Sequence, residues 1–388
     1  MPVRLPQVYS ESWIPMPDTH FAATDRLIRY EDLVPCTLAF IDCKIPGSDR
    51  KVNYSIIGAG VTQSNEQFVN LTEPHGFALG VAAMPHGVTN NLHMHYTAEV
   101  FMIYRGEWLF RWGPEGRDGE ITGRAGDVLS MPTWMFRGFT NTGPDDSWIF
   151  TLLGRDDSGG VVWHPSILET AAEQGLYLTR DNMMVDTATG AAKPDDAELI
   201  QPLSPSDIAA MRRATPEEMA RRVVRFDDLA WSPAALLDSV LAGHASFVAP
   251  VIGAGMTEDR NAVAPISDPH GFMLEYVRLP VGNKIGAYRI APKQVVIVRK
   301  GKLEIELGEG ENATRALAEP WSTFSVPANT WRTFRSSGDE EALFTLTTAG
   351  DARPEIEWSN EIVAEARDAG VGRDPNGNLA PAHLLPAA

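Results

Sequence analysis

Cysteine is nearly absent from this sequence: Cys36 and Cys43 are the only two among 388 residues. Two thiols cannot frame a disulfide-stapled domain, and without a second pair they cannot make a zinc ribbon, so burial is their expected fate. Long apolar runs are missing as well. No window approaches the roughly 18 apolar residues of a spanning helix, and the opening MPVRLPQVYSESWIPMPDTH lacks a basic segment followed by an apolar one. The expectation is a soluble, cytoplasmic chain with no membrane partner. Positive charge is scarce too. The 33 Lys and Arg face 51 Asp and Glu, a net charge of −18 spread along the chain, which argues against nucleic acid as a partner but leaves room for a locally positive site. What remains, 44% hydrophobic and 22% charged, is an ordinary globular composition at a length that suits two domains.

The sequence is written twice. The segment 73-EPHGFALGVAAMPHG-87 returns as 268-DPHGFMLEYVRLPVG-282, a shift of 195 residues that also carries Gly106 onto Gly301, Pro132 onto Pro327, Arg137 onto Arg332 and Trp163 onto Trp358. Within each copy, short runs such as 100-VFMIY-104, 107-EWLFRW-112, 295-VVIV-298 and 302-KLEIEL-307 predict strands of a barrel or sandwich. Each copy closes on a predicted helix. The first covers 166–175, with Ser166 and Glu169 as a capping box and Gly175 as the stop; the second runs 359–370. Further helix signals fall at 204–213 and at 215–223, where Thr215 caps and Pro216 opens the first turn. The expected domains are 1–200 and 201–388.

The stretch 87-GVTNNLHMHYTAEVFMIYRG-106 sets two imidazoles and a carboxylate into an apolar, aromatic-rich run. On one regular strand His93, His95 and Glu99 share a face with Thr97, Phe101 and Ile103, while Met94, Val100, Met102 and Tyr104 face the other layer. Burying such a trio unpaired is costly, so a divalent transition metal is the expected partner. Two other histidines stand upstream. His75 recurs as His270, which points to a structural role; His86 has no counterpart and is a candidate pocket residue.

Gly87, His93, His95, Glu99 and Gly106 match every fixed position of the first motif of the cupins, G-x5-H-x-H-x3,4-E-x6-G. With the duplication, the chain resembles a bicupin over about 30–180 and 225–375. The resemblance implies an all-β fold of two tandem cupin (jelly-roll, double-stranded β-helix) barrels with a few short flanking helices, and a metal inside a barrel. The family's second motif aligns through Gly126, Pro132 and Asn141 but carries Arg137 in place of its histidine and Trp134 in place of its second glycine. That leaves a 2-His-1-carboxylate set. The second copy has Tyr288, Ile290 and Gln294 at the ligand positions, and no metal is expected there.

A divalent metal with one carboxylate and one guanidinium totals about +2, so the pocket calls for a small anionic substrate, with Arg137 as its anchor. The alternative for Arg137 is structural, because Arg332 stands at the same place in the copy without ligands. Trp134, Phe101 and Trp108 are the expected substrate walls, with Trp112, Phe110 and Phe136 nearby. Bicupins include ring-cleaving dioxygenases of the gentisate type, and the resemblance leads to an Fe(II) oxygenase acting on a small anionic aromatic or hydroxyacid, with Arg137 and Glu99 in the chemistry. Mn, Ni or Zn are the other candidate metals. Two alternatives stay open: a lyase, isomerase or decarboxylase that uses the metal as a Lewis acid with Glu99 as ligand or base, and a non-catalytic binding or storage bicupin. A homo-oligomer is expected.

Overall fold

The computed structural model describes residues 22–386; the opening stretch read for a signal segment lies outside them. Period-two alternation becomes two antiparallel barrels. The N-terminal barrel packs a sheet ordered Val162–Trp163, Thr89–Met94, Arg137–Asn141, Glu107–Trp112, Gly119–Arg124 against a larger one centred on Glu99–Arg105, Ser147–Gly154 and Phe77–Met84. The C-terminal barrel repeats the plan with Lys284–Arg289, Arg332–Ser336 and Leu303–Leu307 against Gln294–Lys300, Ala342–Ala349 and Phe272–Leu279. The registers are copies: Gly80 faces Thr151 as Glu275 faces Leu346.

Alternate residues along the larger sheets serve two cores. Phe101 and Ile103 join Trp108, Phe110 and Trp112 inside the N-terminal barrel. Val100, Met102 and Tyr104 point the other way, into a layer shared with Val251, Phe272, Leu274, Tyr276 and Ile297 of the second barrel. Phe77 and its copy Phe272 meet there, ring centroids 5.7 Å apart. At about 1.5–3 kcal/mol for each large apolar side chain removed from water, this layer holds the barrels back to back.

Each half also lends an arm to the other. Leu27–Ile28 pairs with Thr323–Val326 of the second barrel, and Val223–Val224 pairs with Val128–Met131 of the first. The reciprocal bonds beside them are His75 Nε2 to Ser325 Oγ and His270 Nε2 to Ser130 Oγ, both 2.7 Å. His75 and His270 therefore have the shared structural role that their repetition suggests. Ala214 and Met219 pack into the core of the N-terminal barrel, so the segment just past residue 200 lies on the barrel that precedes it.

The helices form where their caps stand, but they are short. Thr215 and Glu218 make a capping box for Pro216–Ala220, and Ser204 and Asp207 make one for Pro205–Ala209. One cap differs from expectation: Pro165 occupies the first turn of Pro165–Glu173, which moves the cap back to His164, whose side chain accepts from the Ser166 N–H. Among the described residues, no helix is long and apolar enough to cross a membrane.

Candidate metal centre

The trio does not lie on one strand. Thr89–Met94 ends just before His95, residues 95–98 turn, and Glu99 opens the next strand, which belongs to the opposite sheet. The turn folds the ligands together across the barrel instead of spacing them along a line. His93, His95 and Glu99 are all buried, and one ligand atom from each lies within 4.8 Å of the other two.

Neighbouring carbonyls fix both imidazoles. His93 Nδ1 donates to Asn91 O at 2.7 Å and His95 Nδ1 donates to Gly160 O at 3.3 Å, which leaves each Nε2 with its lone pair free. Burial first, then the neighbouring His95 imidazole, pushes the His93 pKa well below the usual imidazole range, so it stays neutral as a ligand must. Glu99 divides its oxygens: Oε1 is 3.5 Å from His95 Nε2, and Oε2 accepts from Arg137 Nε at 2.8 Å with Nη2 also 2.8 Å away. Burial works to raise the Glu99 pKa, but Arg137 and the imidazoles outweigh it and hold the carboxyl well below its ordinary range. A donor set of two neutral nitrogens and one carboxylate oxygen, buried and convergent, fits a divalent transition metal.

The expected anion anchor is placed elsewhere. Arg137 is fully buried, its guanidinium is held by Glu99 and by the carbonyl of Met135, and it does not line the cavity beside the ligands. Arg332 repeats the arrangement, bonding Gln294 Oε1 at 2.8 Å and the carbonyl of Thr330, the counterpart of Met135. The expected walls are displaced as well. Phe101 and Trp108 are packed among Phe110 and Phe139 in the core, and Trp134 is 52% exposed against Tyr96, its backbone at φ 56° in the left-handed region that explains the glycine of the cupin motif. None of the three lines the cavity. His86 is exposed, its ring on Gly143 O.

The cavity measures about 80 Å³, and its aromatic walls are Phe40, Tyr54, Phe139 and Trp163. Phe139 shares the face of Arg137 two residues on, and Trp163 stands opposite His93 in the ladder, so strand parity held a signal for both. Phe40 and Tyr54 carried none. Among the described residues, no Arg or Lys lines the space. Just behind it, Lys51 and Asp42 form a buried ion pair at 2.5 Å.

No protein-family model matches the chain, and no curated protein does. Solved structures do. The formate complex of Lactobacillus farciminis oxalate decarboxylase aligns over 88% of this chain and 90% of its own, at 13% identity and a TM-score of 0.53. Bacillus subtilis oxalate decarboxylase aligns over 87% and 79%, at 11% identity and a TM-score of 0.53. A further structure of that enzyme, concerned with its Mn(II) centres, aligns over 90% and 84%, at 12% identity and a TM-score of 0.54. At such identities the likeness shows the fold: two tandem cupin barrels.

Proposed function

We propose that this chain is a metal-dependent bicupin enzyme that breaks a bond in a small carboxylate substrate without incorporating oxygen, as a decarboxylase or related lyase. The charge enclosed beside the cavity carries this reading. Glu99 and Arg137 cancel, and so do Asp42 and Lys51, so a divalent metal on His93, His95 and Glu99 leaves about +2 with no protein anion to balance it. A small chelating dianion balances it. The space fits the same class: about 80 Å³ takes on the order of six water-sized groups, enough for a two-carbon diacid and tight for a substituted ring. The fold neighbours that act on oxalate support the choice.

When bound, the metal supplies Lewis-acid polarisation of a carboxylate oxygen. The chain's residues do the rest. Arg137 holds Oε2, which leaves Glu99 to serve as ligand rather than base; Gly160 and Asn91 orient the imidazoles; Phe40, Phe139 and Trp163 keep water from the reacting carbons. Mn(II) is the metal to load first, ahead of the Fe(II) that the sequence suggested. An oxygenase is the second reading, because a 2-His-1-carboxylate set with open positions also suits O₂ chemistry.

The test is Mn(II)- and Fe(II)-loaded protein incubated with oxalate and a panel of small dicarboxylates and hydroxyacids under ¹⁸O₂, with product analysis by mass spectrometry. Oxalate yielding CO₂ and formate, with the C–C bond broken, a proton on the retained carbon and no label, is the expected result. Oxygen uptake matching turnover, with ¹⁸O in the product, would move the assignment to the oxygenase.

A further inference from the structure

We infer that Asn90, polarised by the buried Lys51, is the carboxylate-recognition element of the cavity, giving it the anion preference that Arg137 is placed too far back to supply. The inference rests on the proposed metal-dependent function and adds a second contact for the same substrate. Lys51 is 2% exposed, and its Nζ donates to Asp42 Oδ1 at 2.5 Å and to the Asn90 side chain at 2.6 Å. An ammonium only donates, so the Asn90 atom it touches is the oxygen, and the amide nitrogen must point away from Lys51. That nitrogen lies 3.3 Å from His93 Nδ1. Nδ1, however, already spends its hydrogen on Asn91 O at the shorter 2.7 Å, and a protonated ring nitrogen accepts nothing. The Asn90 amide is thus a buried donor that lines the cavity beside a metal ligand and, among the described residues, has no acceptor other than that already protonated ring nitrogen. A buried donor without a partner is costly, and a carboxylate oxygen in the cavity satisfies it.

Lys51 strengthens this donor by drawing on the amide oxygen, while Asp42 neutralises the lysine, so the contact adds direction without adding net charge. Its Nζ lies 5.7 Å and 6.0 Å from the ring centroids of Phe40 and Trp163, directly behind two cavity walls. The second barrel shows that the pair is no part of the common frame. Asp238 keeps the backbone contact of Asp42, accepting from Gly286 N as Asp42 accepts from Asn91 N, but its partner is His244. Val52 faces Ala83 as Phe247 faces Arg278, which puts Ser246 at the position of Lys51, and Ile285 stands where Asn90 does. The lysine and the amide occur together only in the barrel with metal ligands.

The experiment loads the full-length protein with Co(II) and titrates formate and its neutral isostere formamide, following the visible bands of the metal. Wild type should prefer formate. Asn90→Ile should lower formate affinity about tenfold to a hundredfold, the range for a hydrogen bond to a charged group, with Co(II) stoichiometry and formamide affinity unchanged. Lys51→Met paired with Asp42→Asn, which strands no charge, should give a smaller loss in the same direction, and Lys51→Arg should recover part of it. Formate affinity unchanged in these variants, or formate and formamide falling together, overturns the inference while the proposed function stands. Protein that takes up no metal overturns both. Formate preference that depends on Asn90, in a protein that converts none of the panel, overturns the function and leaves the recognition element in place.

Discussion

Along the strands that enclose the ligand site, the N-terminal barrel has small or polar residues where the C-terminal barrel has large ones. Ala78, Gly80, Ala82 and Val61 become Met273, Glu275, Val277 and Met256; His93 becomes Tyr288, and Thr151 becomes Leu346. The six replacements are all fully buried. What the two barrels share is equally specific. Gln63 accepts from Ile41 N and Trp163 Nε1, and its copy Glu258 accepts from Leu237 N and Trp358 Nε1. The frame is kept twice and the interior is emptied once, so the cavity is a local choice of side chains on a fold that is stable with or without it.

The largest effect is expected for Glu99→Gln, which copies Gln294 into the first barrel. Arg332 tolerates a glutamine because it also donates to Pro327 O at 3.1 Å and twice to Thr330 O. Among the described residues Arg137 has only Met135 O besides Glu99. The substitution should therefore strand a buried charge and destabilise the metal-free protein by about 3–5 kcal/mol, read by denaturant unfolding after chelation. A cost below 1 kcal/mol, taken roughly as the exposed-pair value, would mean that the ion pair is not what holds Arg137 inside.

Glu275 is the opposite case, an acid where the first barrel has Gly80. Burial, opposed only by the Met256 N–H, pushes its pKa up to about 8. Such a group favours the folded state most fully below its unfolded pKa, near 4.5, and that contribution is lost as pH rises toward 8. Glu275→Gln removes the dependence. It should stabilise the protein on the order of 3 kcal/mol at pH 7 and by almost nothing at pH 4, which melting curves across that range would show.

Most of the frame was readable in the residues, because periodicity and duplication are local signals. Gly106, Pro132 and Trp163 and their copies announced two like barrels, and Thr215 with Pro216 announced a helix. The ligand trio was readable by type, though its turn at 95–98 was not, since a strand pattern runs unbroken through it. The cavity was not legible. Phe40 lines it, and Lys51 and Asp42 stand behind it, from far along the chain, and nothing near them in sequence marks a site. Arg137 misled for a physical reason: charge arithmetic gives its sign but not its direction, and only packing shows that Glu99 stands between it and the cavity.

The exchanged arms offer a finer test of symmetry. Among the described residues Ser130 Oγ bonds only His270, whereas Ser325 Oγ bonds His75 and also accepts from Arg26 Nη2 at 2.8 Å. Ser130→Ala should cost about 1 kcal/mol and Ser325→Ala about 2 kcal/mol, the difference being the additional hydrogen bond that Ser325 Oγ accepts from a charged donor. Equal melting temperatures for the two variants would show that the Arg26 contact adds nothing.

The smallest effect is expected at Trp134, where the two barrels share a backbone shape and differ in the residue that bears it. Trp134 has φ 56° and its counterpart Asn329 has φ 53°, a region that costs most L-residues about 1–2 kcal/mol and that asparagine enters more readily. Trp134→Ala removes the ring and keeps the strain; Trp134→Gly removes both. The glycine variant should therefore be the more stable of the two by about 1 kcal/mol, a gap that cancels out the lost contact with Tyr96 because both variants lose it. Asn329→Gly and Asn329→Ala should differ in the same direction. Formate affinity of the Co(II)-loaded protein should be the same in both Trp134 variants as in wild type, since the ring lies outside the cavity. A variant that folds normally yet loses formate would return Trp134 to the substrate wall that its place in the cupin motif first suggested.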